Sequence, residues 1–225
     1  MHRQIILDTE TTGLSPNKGD RLIELGCLEL VNRRPTGRTL HFYFNPDRAV
    51  PVEAFKVHGL SNEFLENKPR FHEKAEDIMA FIKGAELVIH NAEFDLGFLN
   101  AELSYLRQEP YGRIEDHCSI LDTLSMARKM HPGQRNSLDA LCKRYQIKNA
   151  HRQLHGALLD AELLAQVYLL MTGGQEALFV TEVTTHETIT QTITALNKKI
   201  VQLRLCSADP NELSTHEAYL SKLKA

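Results

Sequence analysis

Short apolar runs dominate the first part of the chain. "QIILD" (4–8), "RLIELGCLELV" (21–31) and "TLHFYFNP" (39–46) are rich in Ile, Leu and Phe and bounded by turn residues, and they predict three strands. Gly13, Pro16 and Gly19 mark the first turn, and "NRRPTGR" (32–38) the second. From residue 71 the period lengthens. "FHEKAEDIMAFIKG" (71–84) predicts an amphipathic helix closed by a glycine, and "AELVIHN" (85–91) a short buried strand. A helix follows over 92–108 with Phe94, Phe98 and Leu99 on one side, then a fifth strand near "HCSILDT" (117–123). Further helices are expected at 121–130, 137–145 and 156–171. Three consecutive strands followed by helix–strand–helix units predict an α/β fold, a mixed five-stranded sheet flanked by helices.

The pattern changes after "TGGQ" (172–175). "VTEVTTHETITQT" (180–192) is threonine-rich and has no apolar period, so it reads as a linker. Beyond it Ile193, Leu196, Ile200 and Leu203 recur at helical spacing, "SADPNE" (207–212) makes a turn, and Leu213, Leu220 and Leu223 stripe a second helix. The expected organisation is a main domain over 1–174, a short peptide at 175–179, a linker over 180–191 and a helical hairpin tail over 192–225. Two short helices bury little alone. They either fold back on the main domain or dock on a partner, and the linker favours the partner.

The chain has 225 residues, 42% hydrophobic and 24% charged, enough for a real core. No apolar run reaches membrane-spanning length, and "MHRQIILDTE" reads as a strand beginning rather than a signal peptide. Cys27, Cys118, Cys142 and Cys206 are scattered without a C-x-x-C pair, as expected of reduced thiols in a cytoplasmic protein. A net charge of −3 and a pI near 6.4 argue against a large basic surface that coats nucleic acid. An enzyme that grips a few nucleotides and borrows positive charge from metal ions remains compatible with them.

Four carboxylates and one histidine carry the candidate chemistry. Asp8 and Glu10 stand two residues apart at a strand end, so they point to one face. Side by side they repel, and a divalent cation relieves that: hard Mg²⁺ or Mn²⁺ takes one or two carboxylates plus water and phosphate. Asp95 lies in the first turn of the helix after "ELVIH", at the strand edge where α/β sheets place their sites. Asp160 interrupts an otherwise apolar helix containing Leu158, Leu159, Leu163, Leu164 and Val167. Four carboxylates from separate segments suffice for two ions about 4 Å apart, the arrangement that clamps attacking and leaving oxygens in phosphodiester cleavage. His155, five residues before Asp160, falls on a different helical face and is therefore expected in the turn before the helix, where Gly156 lets the chain bend. From there an imidazole can accept a proton near neutral pH.

"LDTETTG", "IHNAEFD" and "LHGALLDA" resemble the three motifs of the DEDD superfamily of 3′→5′ exonucleases, in the branch that uses histidine. "VNRRPTGRTLHFYFNP", "EAFKVHGLS", "ARKMHPGQRNSLDALCKRY" and "HGALLDAELLAQVYLLMTGGQ" extend the resemblance to the proofreading (epsilon) subunits of bacterial DNA polymerase III, over residues 3–175. The resemblance implies a ribonuclease-H-like fold and excision of nucleoside monophosphates from a DNA 3′ end. It assigns Asp8, Glu10, Asp95 and Asp160 to two Mg²⁺ or Mn²⁺ ions and His155 to the general base. It also implies substrate contacts from Asp8, Glu10, Asp160, Glu53, His58, Thr11, Gly13, Leu14, Asn91 and Phe94, with Val57 packing on the terminal base. The loop "LSPNKGD" (14–20) is shorter than the family pattern, which bears on its reach toward DNA.

"QEALF" (175–179) resembles the Gln-x-x-Leu-Phe peptide with which bacterial replication proteins bind the sliding clamp, with Gln175 at the pocket rim and Leu178 and Phe179 as apolar anchors. The tail is then expected to dock on the polymerase catalytic (alpha) subunit, and an additional small accessory subunit is compatible. Tethering raises the local concentration of the nuclease at the primer end. Two other readings compete: a freestanding exonuclease trimming RNA or single-stranded DNA, which needs neither clamp peptide nor tail, and a non-catalytic replisome adaptor, which needs no carboxylate quartet.

Overall fold

The computed structural model describes residues 2–106, 111–148 and 154–176, the last three by their backbone alone. β1 (Arg3–Thr11), β2 (Leu22–Val31), β3 (Arg34–Tyr43), β4 (Glu86–Ile89) and β5 (Ser119–Asp122) form one mixed sheet in the order β3-β2-β1-β4-β5. β2 is antiparallel to both β1 and β3, whereas β4 runs parallel to β1 and β5 parallel to β4. The helices are α1 (Val52–His58), α2 (Asn62–Glu66), α3 (Ala75–Ile82), α4 (Ala92–Ser104), α5 (Thr123–Met130), α6 (Leu138–Arg144) and α7 (Ala157–Glu176).

The period-2 pattern of β1 splits the core in two. Ile5 and Leu7, with Leu87 and Ile89 of β4, pack against Ile78 and Ile82 of α3 and Phe98 and Leu99 of α4. Ile6 and Val88 face the other way, onto Leu141 of α6 and Ala161, Leu164 and Val167 of α7. Each such side chain contributes about 1.5–3 kcal/mol by leaving water. The odd and even residues of β1 therefore tell which helical layer a side chain at its end will meet.

The structure departs from these expectations in several places. "NRRPTGR" is not one turn: Asn32 and Arg33, at φ 49° and 65°, make a two-residue hairpin turn and β3 begins at Arg34. Pro35 is tolerated because β3 is an edge strand, and the register shift between Leu28 and Leu30 absorbs the extra residues. The stretch before residue 71 holds two helices that periodicity left unassigned, α1 closed by Gly59 in the left-handed region and α2 capped by Ser61 Oγ, which accepts from Phe64 N. Finally, α7 runs through Gly173 and Gly174 to Glu176 rather than ending at 171. The Gln175 side chain, Leu178, Phe179, the linker 180–191 and the tail 192–225 lie outside the described residues.

Cys27, Cys118 and Cys142 are buried; Cys206 lies outside the described residues. Among the described residues, no helix is long and apolar enough to cross a membrane.

Candidate active site

The end of β1 meets the start of α7. Asp8 is directly opposite Gly26 of β2, and Glu10 opposite Glu24. Opposed residues share a face of the sheet. On that face a Cβ at Gly26 would overlap the backbone of Ala157 and Leu158, so the first turn of α7 rests directly on β2. Asp8 and Glu10 therefore face α7, whose first turn carries Asp160. Ligand atoms of Glu10, His155 and Asp160 all lie within 4.8 Å of one another. Asp160 is not an exposed helix residue: its side chain is only 5% exposed, and its Oδ2 stands 3.2 Å from His155 Nδ1.

His155 occupies the turn before α7, as its spacing predicts, and α1 holds it there. Its backbone N–H donates to Val57 O at 3.0 Å. The preceding Leu154 lies against Gly59, where φ is +73° and a Cβ would meet the leucine methyl. The His155 side chain is 43% exposed. Nδ1 is the ring nitrogen turned to Asp160, which leaves Nε2 on the other edge of the imidazole.

Asp95 approaches from the opposite layer. Thr9, between the two β1 carboxylates, points toward α4 and donates from Oγ1 to Asp95 Oδ1 at 2.6 Å. The carboxyl is buried, and burial pushes it up to about 7, against the pull of the Thr9 hydroxyl and nearby backbone N–H groups. Asp8 thus shares the face of the Glu10–His155–Asp160 cluster, and Asp95 comes to the same strand end from behind it.

A buried carboxylate beside Glu10 escaped the sequence reading. Glu24, opposite Glu10, is 2% exposed, and its Oε1 lies 2.7 Å from His41 Nε2. Burial first, and then Glu24, push the Tyr43 hydroxyl up. A glutamate in an alternating strand reads as solvent-facing; the only sequence signal was the pair of polar rings in "HFY" on the next strand.

A cavity of about 510 Å³ adjoins the cluster. Glu10, Thr11, Gly13 and Leu14 line it from the end of β1, Glu53, Val57 and His58 from α1, and Phe94 from α4. Leu14 and Val57 are 85% and 47% exposed, so neither is a core residue. Phe94 both lines the cavity and packs on Phe98, with ring centroids 5.1 Å apart. Asn91 does not join this cavity; it lines a neighbouring one of about 290 Å³ together with Leu14 and Phe94. His58 accepts from Leu60 N at Nδ1, and its buried Nε2 has no hydrogen-bond partner among the described residues. Burial, and then the neighbouring His155, lower its pKa, so His58 is a neutral Nε2–H donor. The loop over 14–20 is braced by Asp20–Arg48 at 3.0 Å, and its end by a fork in which Arg21 donates to both oxygens of buried Glu102 at 2.7 Å.

Residues 5–168 match the family model described as Exonuclease (RNase T). The chain is 50% identical over 224 residues to the DNA polymerase III subunit epsilon of Escherichia coli (strain K12), covering 97% of this chain and 92% of that one. With the same subunit of Rickettsia felis it shares 47% over 222 residues, 98% of this chain and 96% of the relative. Among solved structures it is similar to Exonuclease X in complex with 5′ overhanging duplex DNA, at 22% identity and TM-score 0.58, over 77% of this chain and 93% of that one. It is also similar to E. coli Exonuclease I in complex with a dT13 oligonucleotide, at 20% identity and TM-score 0.68, over 80% of this chain and 43% of the other. At those identities the two structures bear on the fold.

Proposed function

This chain belongs to the DNA polymerase III epsilon subunits of the exonuclease family, and we propose that it proofreads new DNA by cutting the last phosphodiester of a primer at the Glu10–His155–Asp160 cluster. As a member it is a 3′→5′ DNA exonuclease and a replication protein. The observation that carries the site assignment is the convergence of Glu10, His155 and Asp160 within 4.8 Å, beside a cavity lined by eight of the expected contact residues.

The donor set fits divalent ions. Glu10 and Asp160 offer hard oxygens on the face Asp8 shares, Asp95 adds a carboxylate from α4, and a cation relieves the repulsion among such acids. In this reading Asp8, Glu10, Asp95 and Asp160 hold two Mg²⁺ or Mn²⁺ ions, which when bound supply Lewis acidity to the scissile phosphate and its leaving oxygen. His155 takes the proton of the attacking water at Nε2, and contact with Asp160 keeps the ring in place. Glu53 and the His58 Nε2–H grip the terminal sugar and phosphate, while Leu14, Val57 and Phe94 enclose the base. Thr11 and Gly13 bring backbone to the nucleotide, and Asn91 lies one cavity further on.

Partner contacts extend the proposal. Gln175, Leu178 and Phe179 bind the sliding clamp, and residues 192–225 dock on the polymerase alpha subunit across the 180–191 linker. The acidic pI supports such tethering, since the nuclease then needs no large DNA-binding surface of its own.

A 5′-labelled primer with a mismatched 3′ end tests the proposal, incubated with Mg²⁺ or Mn²⁺ and with chelator, beside Asp8→Ala and His155→Ala. The expected result is a metal-dependent ladder shortening from the 3′ end and absent in both variants. Intact primer from wild type with either metal would leave the adaptor reading in its place.

A further inference from the structure

We propose that the substrate groove continues past Asn91 into a phosphate subsite at Arg128, which takes a backbone phosphate of the strand upstream of the excised nucleotide. The proposal rests on the exonuclease reading above. Three cavities stand in series. The catalytic cavity and the next share Leu14 and Phe94, and the second shares Asn91 with a third of about 500 Å³. His90 and Asn91 at the end of β4, Leu124 and Arg128 of α5, and Gln134 line that third cavity. β1, β4 and β5 are adjacent and parallel, so it opens at the same sheet edge as Asp8 and Glu10. It lies about 10 Å away across two strand spacings, a distance that a few linked nucleotides cover.

Charge points to the ligand. Glu10, Asp20 and Glu53 line the first cavity and Glu93 the second, and neither is lined by a lysine or arginine among the described residues. Arg128 supplies the positive side chain of the series. Arg128 is exposed and, among the described residues, takes no hydrogen-bond or ion-pair partner. The facing His90 adds no charge: its ring packs on Thr123 Oγ1 at 3.0 Å, and burial keeps it neutral. Asn136 is not available either, because its amide is spent on His131 O, Gln134 O and Arg144. Each nucleotide brings one negative charge, and metal ions neutralise only the scissile phosphate. The next phosphates need a cation, and a guanidinium fork matches phosphate oxygens.

Steady-state excision of a dinucleotide, which has only the scissile phosphate, and of a tetranucleotide tests this. The full chain is compared with Arg128→Gln and Arg128→Lys. Arg128→Gln is expected to raise the tetranucleotide KM about ten-fold relative to the dinucleotide KM. It should also make the salt dependence of tetranucleotide kcat/KM shallower by about 0.7 in log–log slope. Arg128→Lys should recover part of both. Equal shifts for the two substrates, or none, overturn the subsite. A change confined to inhibition by thymidine 5′-monophosphate makes the occupant a free nucleotide and overturns the strand assignment. Wild type inert on both substrates defeats the exonuclease reading instead; the subsite is then decided by tetranucleotide binding in chelator, where Arg128→Gln must still bind about ten-fold more weakly.

Discussion

Gly26 of β2 lies directly beneath Leu158 of α7, with no room for a side chain between them. Gly26 is also the strand partner of Asp8, and Leu158 stands two residues before Asp160, so one close approach sets the spacing of two carboxylates from distant segments. Gly26→Ala is expected to lift the first turn of α7. Stability should fall by about 2 kcal/mol in urea denaturation, and excision at least ten-fold, because misplaced catalytic groups cost rate steeply.

Asp95 carries a stability penalty in the metal-free protein. Its folded pKa of about 7 lies above the ordinary 3.8, so the stability it contributes is full below pH 4 and is lost as pH rises toward 7. Asp95→Asn keeps an acceptor for the Thr9 hydroxyl and removes the charge. In chelator at pH 8 it should melt higher than wild type, by on the order of 2 kcal/mol, while excision with metal falls at least 100-fold. Equal melting of the two proteins at pH 8 contradicts the assignment.

His58 behaves in the opposite sense. Its pKa is lowered, so its contribution is present above the unfolded value near 6.5 and is lost as pH falls below it. The fall in stability between pH 6.5 and 5 should be smaller in His58→Gln than in wild type, read as Tm against pH. The same variant should raise KM more than it lowers kcat, since in the proposed site it removes a donor to the nucleotide.

Glu102 is buried in α4, far along the sequence from the loop it holds. It receives both arms of Arg21, and Leu22 N donates to it at 3.3 Å. Arg21 is partly exposed, so Glu102→Ala is expected to cost about 2 kcal/mol rather than the 3–5 of a fully buried pair. KM should rise several-fold as Gly13 and Leu14 lose their brace. Unchanged KM with unchanged stability would show that the fork does not position the loop.

The placement of Asp8, Glu10, His155 and Asp160 was legible because strand and helix periods act locally. Two residues apart on β1 means one face, and five residues apart means that His155 leaves the helix bearing Asp160. Longer-range arrangements were not legible. Glu24 reads as surface until His41 and Tyr43 arrive from β3, and α1 and α2 are too short to show a period, although Gly59 and Ser61 mark their ends. The hairpin at Asn32 and Arg33 was hidden by Pro35 and Gly37, which an edge strand accepts. That Thr9 binds Asp95 follows from pairing the two layers, not from either segment.

The division of labour at the cluster is the central claim: Glu10 and Asp160 hold metal, whereas His155 moves a proton. Calorimetric titration of Mn²⁺ into wild type, His155→Ala and Asp160→Ala tests it most directly. The expected result is binding within about three-fold of wild type for His155→Ala and at least ten-fold weaker binding for Asp160→Ala, since hard cations prefer oxygen. Equal loss in both variants would contradict the account and make His155 a metal ligand rather than the base.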